Sequence, residues 1–356
     1  MSGNFQGNMS RRRFMGASAG LIGVTLLPYK AWSAEEKQLN VYNWDTYIGE
    51  KTLPNFTETT GIKVQYDLYG DNEEMFAKLK AGNPGYDVIV PSDYMVEDML
   101  SLNMLETLDH SKIPNLANVD KAFLNPGFDP GLKHSVPYMW GTVGSGYRKS
   151  KFTSTPDSWK DLLLNDAYAG RIALLSDARN VIGGALKYLG YSMNSHSKTE
   201  IGKARDLLIA GKKNIKTFAA DNGQDLLASG EVDICLEWSG DIVGVMAEDK
   251  DLSYVVPKEG SNVWLDNLCI PKDAPHPENA HAFINFLQDP AVNAEIVTTN
   301  PFATCNAKAK ALMPATYRNN PAIFAPAEIL SRCESILSVG KDARLYDEAW
   351  TAVQAA

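Results

Sequence analysis

Short β-branched runs alternate along the chain with stretches of helical period. LNVYN at 39–43, a helix over 51–59, IKVQYDLY at 62–69, a helix over 73–81 and YDVIVP at 86–91 predict β-α-β-α-β. A second round begins near residue 142 with TVGSGYR and RIALL, helices over 181–189 and 201–210, then NIKTF and VDICLEW. The chain then returns through YVVP and WLDNLCIP to the helix-like ENAHAFINFLQ and a last helix over 345–354. Strands alternating with helices predict a mostly parallel sheet covered on both faces, with any ligand at the carboxyl ends of the strands. Trp44, Asp45 and Ser92 fall at such ends.

Residues 1–33 combine a basic cluster, an apolar run and a small-residue exit, the order of a secretory signal. The apolar run from Phe14 to Leu27 is short for a bilayer-spanning helix, which needs roughly 20 apolar residues. Ser10, Arg11, Arg12, Arg13 and Phe14 resemble the twin-arginine export signature, and cleavage fits after Ser33. The expected address is the periplasm. The remaining length exceeds what one hydrophobic core usually holds, so two β/α lobes visited out and back are expected, with a ligand cleft between them. The expected lobes are 34–143 with 265–310, and 144–264 with 311–356. This α/β layout matches the periplasmic binding protein architecture, but many enzymes share the alternation, so fold alone leaves function open.

Without its leader the chain keeps 30 basic residues against 43 acids, about −13, a charge that speaks against nucleic acid and attracts cations. Cys235, Cys269, Cys305 and Cys333 show no CxxC spacing, and in an oxidising compartment one or two disulfides are compatible with them. GASAG at 16–20 matches a nucleophile elbow in letters only, because it lies in the leader. The histidines are scattered outside any HExxH setting and read as surface or cap residues, so no metal is expected. GSG at 144–146 lacks the third glycine of a dinucleotide loop and reads as tight backbone packing, so no cofactor is expected either.

What remains is a recurrent pairing of aromatic rings with acids. In VYNWDTYIG at 41–49, Tyr42, Trp44 and Tyr47 surround Asp45, and PSDY, SDARN, EWSGD and NVWLDN repeat all or part of the theme. Rings present their negative faces to an organic cation, and a carboxylate supplies the countercharge. Each motif also has a plain structural reading. Asp45 would cap the element after a strand end, Asp177 and Asp241 would cap helices, and Trp238 and Trp264 would be core residues.

From Leu39 onward the chain resembles the spermidine/putrescine-binding proteins of bacterial ABC transporters. The resemblance rests on YNWDTYI, TGIKVQYDLY, YDVIVPSDY, SVPYMWGTVGSGY, SWKDLL, VVPKEG and WLDNLCIPKDAPHPENAHAFINFL. It implies a periplasmic binding protein-like fold of type II, monomeric, holding a small cationic amine between aromatic walls and handing it to a permease with no chemistry of its own. Carried over by position, Trp44, Asp45, Thr46 and Tyr47 form the first binding segment, and Ser92 and Tyr94 the second. Asp177 and Asn180 form the third, Trp238 and Asp241 the fourth, and Trp264 and Asp266 the fifth, with Phe302 at a further position. The family usually places acids at Thr46 and Asn180 and a hydroxyl-bearing ring at Phe302. Asp45 can replace one acid only if the backbone has already turned, because adjacent strand residues face opposite ways. The expected consequence is a cleft with acids mainly toward one end, suited to a short diamine or a ligand with one cationic end. An exported enzyme on the same scaffold finds no nucleophile–base pair in the sequence; a signalling receptor is the other alternative.

Overall fold

The first strand, β1 (Gln38–Asn43), buries Leu39, Val41, Tyr42 and Asn43 and has a parallel partner on each side, β2 (Lys63–Leu68) and β3 (Val88–Ile89). The computed structural model describes residues 35–356; the leader expected over 1–33, with its arginine motif and cleavage site, lies outside the described residues. Seven more strands complete the sheet: β4 (Ser135–Arg148), β5 (Ile172–Leu175), β6 (Ile215–Ala219), β7 (Ile234–Trp238), β8 (Leu252–Val255), β9 (Val263–Cys269) and β10 (Ala303–Thr304). The sheet order is β2-β1-β3-β9-β4-β7-β5-β6, with β8 and β10 each paired to β4.

The expected mostly parallel sheet is instead mixed. β1 with β2 and β3, and β5 with β6 and β7, are parallel. Every pairing of β4 and β9 is antiparallel. The βαβ units make the flanks parallel, whereas a strand that returns from the second half to the first runs against the one that left it.

β4 changes partner midway. It pairs with β9 from Ser135 to Thr142 and with β7 from Val143 to Tyr147. Helices cover the flanks. The helix Pro277–Leu287 sets Phe283 against Phe56 of the helix Thr52–Thr60, ring centroids 5.0 Å apart. The C-terminal helix Ala343–Ala355 packs on the helices Ala178–Tyr188 and Lys198–Gly211, and its Tyr346 hydroxyl donates to the carbonyls of Met193 and Ser195. All four cysteines are free thiols, three of them buried, so the disulfides compatible with the sequence are not formed.

The GSG stretch is a point of close approach. A Cβ on Gly144 would meet the Val255 carbonyl oxygen at 2.6 Å and the Tyr254 hydroxyl at 2.7 Å. That hydroxyl donates to the Thr142 carbonyl at 2.9 Å, so the ring cannot swing away without losing a buried bond. Gly144→Ala is therefore expected to destabilise the protein by about 1–3 kcal/mol in urea denaturation, through overpacking against backbone. Gly202→Ala, in the helix Lys198–Gly211 with open space at the Cβ, is expected to stabilise by about 1 kcal/mol through helix propensity.

Candidate ligand-binding cleft

Alternation along β9 puts Trp264 and Asp266 on one face of the crossing strands. Asp266 is buried, and two hydroxyls hold its carboxylate: Ser92 donates to Oδ1 at 2.6 Å and Tyr47 to Oδ2 at 2.6 Å. Asn72 fixes Ser92 in turn, donating to its Oγ at 3.0 Å and accepting its N–H at 3.1 Å. Ser92 occupies the N-cap position of the helix Asp93–Ser101, yet its hydroxyl serves Asp266 instead of the helix. Burial pushes the Asp266 carboxyl up to about 6 even though both hydroxyls pull it down. Neighbouring Asp93 is pushed up to about 7, chiefly by burial, with the Asp266 charge adding. Tyr47 stays a donor, since burial and then the Asp266 charge raise its phenol well above the usual value.

Five rings form a continuous wall beside this carboxylate. Centroid separations are 6.4 Å from Trp44 to Tyr47, 5.1 Å from Tyr47 to Phe302, 5.7 Å from Phe302 to Trp264 and 6.0 Å from Trp264 to Trp238. Edge-on and tilted contacts between them are the favoured aromatic geometries. Trp44 is anchored by its indole N–H on the Val90 carbonyl at 2.8 Å, while the buried Trp264 indole N–H has no acceptor. Tyr42 does not join the wall. It stacks on Tyr86 at 4.5 Å under Lys78, so the three rings read around Asp45 divide between core and cleft.

The backbone has turned where the sequence required it. β1 ends at Asn43, and Thr46 takes a left-handed φ of 56°. Asp45 is exposed in this turn and accepts the Thr46 N–H at 2.8 Å; it caps no helix, because the next one begins at Thr52 with Lys51 as its cap. Across the cleft, Asp241 is not an N-cap either. Trp238 caps the helix Ser239–Glu248, and Asp241 lies in its first turn. Burial, with the charges of Asp221, Asp225 and Asp45 adding, pushes its carboxyl up to about 7.

Two acids here were not singled out from sequence. Glu237 is fully buried on β7 with its Oε2 unpartnered, and oxygens of Asp221, Glu237 and Asp241 lie within 4.8 Å of one another. A signal existed: an acid inside the otherwise apolar run ICLEW is costly unless something charged meets it. Asp221, two residues after β6, sits at a strand's carboxyl end as the ligand rule requires.

The third segment shows a further difference. Asp177 is an N-cap, accepting the Asn180 N–H at 2.9 Å, as its plain reading expected. Asn180 is buried with its Oδ1 unpartnered. Another acid, Glu73, stands beside this segment: it accepts the Tyr94 hydroxyl at 3.0 Å, and its carboxyl is raised by burial and by the Asp177 charge. Arg179 forms no ion pair with either acid among the described residues, although the Asp177 charge acts on it; its guanidinium donates to Asn194 and to the Leu337 carbonyl. Besides Asp266, acids are grouped at Glu73 with Asp177 and at Asp221 with Glu237 and Asp241, so Glu73, Asp221 and Glu237 add to the acids expected from sequence.

Residues 51–325 match the family described as bacterial extracellular solute-binding protein. A putrescine-binding periplasmic protein of Pseudomonas aeruginosa is 34% identical over 344 residues, covering 91% of this chain and 94% of the relative. The spermidine/putrescine-binding periplasmic protein of Escherichia coli is 34% identical over 350 residues, covering 97% of this chain and 98% of its own. The solved structure of a putative spermidine/putrescine ABC transporter from Listeria monocytogenes superposes with a TM-score of 0.85 at 36% identity, covering 90% of this chain and 99% of that one. With acids and rings gathered where strands cross between two β/α halves, and with these likenesses over nearly the whole chain, the protein belongs to the bacterial extracellular solute-binding proteins.

Proposed function

We propose that the chain is the periplasmic substrate-binding component of an ABC transporter for small cationic amines of the putrescine and spermidine kind. It closes on the amine and delivers it to the permease, with no chemistry of its own. The carrying observation is Asp266, a buried carboxylate oriented by the neutral hydroxyls of Ser92 and Tyr47 beside a wall of rings, with no cationic side chain paired to it among the described residues. An ammonium supplies the missing charge, and the rings accept its methylene chain and polarised C–H groups. The binding segments are those around Trp44 to Tyr47, Ser92 to Tyr94, Asp177 to Asn180, Trp238 to Asp241, Trp264 to Asp266, and Phe302. The partner change of β4 between Thr142 and Val143 supports lobes of 34–143 with 265–310 and of 144–264 with 311–356. In this reading the receptor works as a monomer, with one ligand between its two lobes.

Isothermal titration of putrescine and spermidine tests this reading. Both should bind, and a hundredfold excess over Kd should raise stability by about 2.7 kcal/mol. Trp238→Ala should weaken binding by about 1–3 kcal/mol and leave the ligand-free protein folded, because the ring is half-buried in the wall. Absence of heat and of a thermal shift with every amine would sink the proposal.

A second expectation concerns pH. Asp266 moves from 3.8 to about 6 on folding, so the native state binds more protons than the unfolded chain between those values. Its contribution to stability is therefore lost as pH rises through this window, and the cost is complete above it. At 1.36 kcal/mol per pKa unit the ceiling is about 3 kcal/mol. Asp266→Asn should flatten that part of the pH–stability curve, make the ligand-free protein about 1–3 kcal/mol more stable at pH 7.5, and weaken putrescine binding. A variant less stable than wild type at pH 7.5 would show that the carboxylate's hydrogen bonds outweigh its desolvation.

A further inference from the structure

Glu237 is the acid in the molecule hardest to explain as structure. It lies on β7 with no solvent exposure, and its Oε1 only accepts the N–H of the next residue, Trp238, at 3.0 Å. Its Oε2 accepts no well-formed hydrogen bond and rests against Gly223, whose backbone N–H is its sole favourable polar neighbour among the described residues and where a Cβ would collide with it. Glu237, Asp221 and Asp241 bring one oxygen each within 4.8 Å of the others. No lysine or arginine is paired with any of the three among the described residues. An ammonium nitrogen that donates at about 2.8 Å to three oxygens in tetrahedral directions holds them roughly 4.6 Å apart, so the spacing suits one such group. A divalent ion needs about six oxygen ligands; one oxygen from each of the three side chains leaves the rest to bidentate contacts or water, and the Trp238 indole N–H already bonds Asp221 on one flank.

Resting on the amine-receptor reading, we propose that Asp221, Glu237 and Asp241 form a three-carboxylate subsite for one terminal primary ammonium, R–NH3+, and that Glu237 sets the requirement for an unsubstituted amine there. Three N–H donors meet three carboxylates, which an N-acetylated end with its single N–H does not match. The charges facing Glu237 are those of Asp241, on the helix after β7, and Asp221, at the end of β6. Asp225 and Asp45 act on Asp221 and Asp241 in turn. Burial and these neighbours raise the Glu237 carboxyl well above the usual range. In this proposal Glu237 carries a proton in the ligand-free protein; as the ammonium enters the O–H bond breaks, the proton leaves to solvent, and the carboxylate accepts an N–H from the ligand.

Titrations of putrescine into wild type, Glu237→Gln and Asp221→Asn at pH 7, in two buffers of different ionisation heat, read affinity and proton release together. Wild type should bind putrescine and release protons. Glu237→Gln should bind at least tenfold more weakly with less proton release, and Asp221→Asn, altered at an exposed residue that leaves folding intact, three- to tenfold more weakly. Putrescine binding and proton release unchanged in both variants would overturn the subsite while leaving the amine receptor standing. No binding of putrescine, spermidine or cadaverine by wild type would overturn both. Tight binding of calcium chloride alone by wild type, lost in Glu237→Gln, would overturn the ammonium assignment in favour of a metal.

Discussion

Negative charge without a counterion is the constraint around which the cleft is built. Asp266, Asp241 and Glu237 are all removed from water to a degree that raises their carboxyls, and each enters no ion pair among the described residues. The ion pairs that do form lie elsewhere, as in Arg148 with Asp249, Arg171 with Asp233 and Lys187 with Glu334. Burying unpaired carboxylates costs several kcal/mol, part of which protonation relieves. In the proposed receptor a cationic ligand removes that cost when carboxylates from both halves face it together, so the ligand's differential contacts favour closure.

The crossing strands make this coupling geometric. Trp264 and Asp266 stand on β9, and Trp238 and Glu237 end β7; both strands pair with β4 on either side of its partner change. The groups proposed to meet the ligand are thus continuous with the strand on which the two halves of the sheet are joined. Close approach at Gly144, against β8 and Tyr254, stiffens the same region.

Much of this was legible in the sequence. The βαβ units, the strand-end placement of Trp44, Ser92 and Asp177, and the family membership emerge from periodicity and from motifs such as YNWDTYI. The antiparallel centre was not legible, because periodicity reports which residues form a strand and says nothing of its neighbours. Tyr42 was misplaced for a related reason: three rings in six residues look like one cluster, yet strand alternation sends Tyr42 to the Tyr86 side and the turn sends Tyr47 to the cleft. Glu73 was out of reach, since it comes from a helix N-terminus in one half and meets Asp177 only in three dimensions. Glu237 was within reach, as a charged residue inside an apolar strand run.

The choice of partners for Asp266 explains how a carboxylate can be fixed in place and still be available. An arginine would orient it as firmly, but would also consume the charge that an amine needs. Hydroxyls from Ser92 and Tyr47 occupy one direction on each oxygen and carry no charge, so each oxygen keeps a lone pair for a ligand donor. Asn72 then positions Ser92 with neutral bonds as well, so the whole relay from Asn72 to Asp266 orients without neutralising. Rigidity comes from neutral hydrogen bonds and aromatic packing, and the full electrostatic term is held back for the ligand.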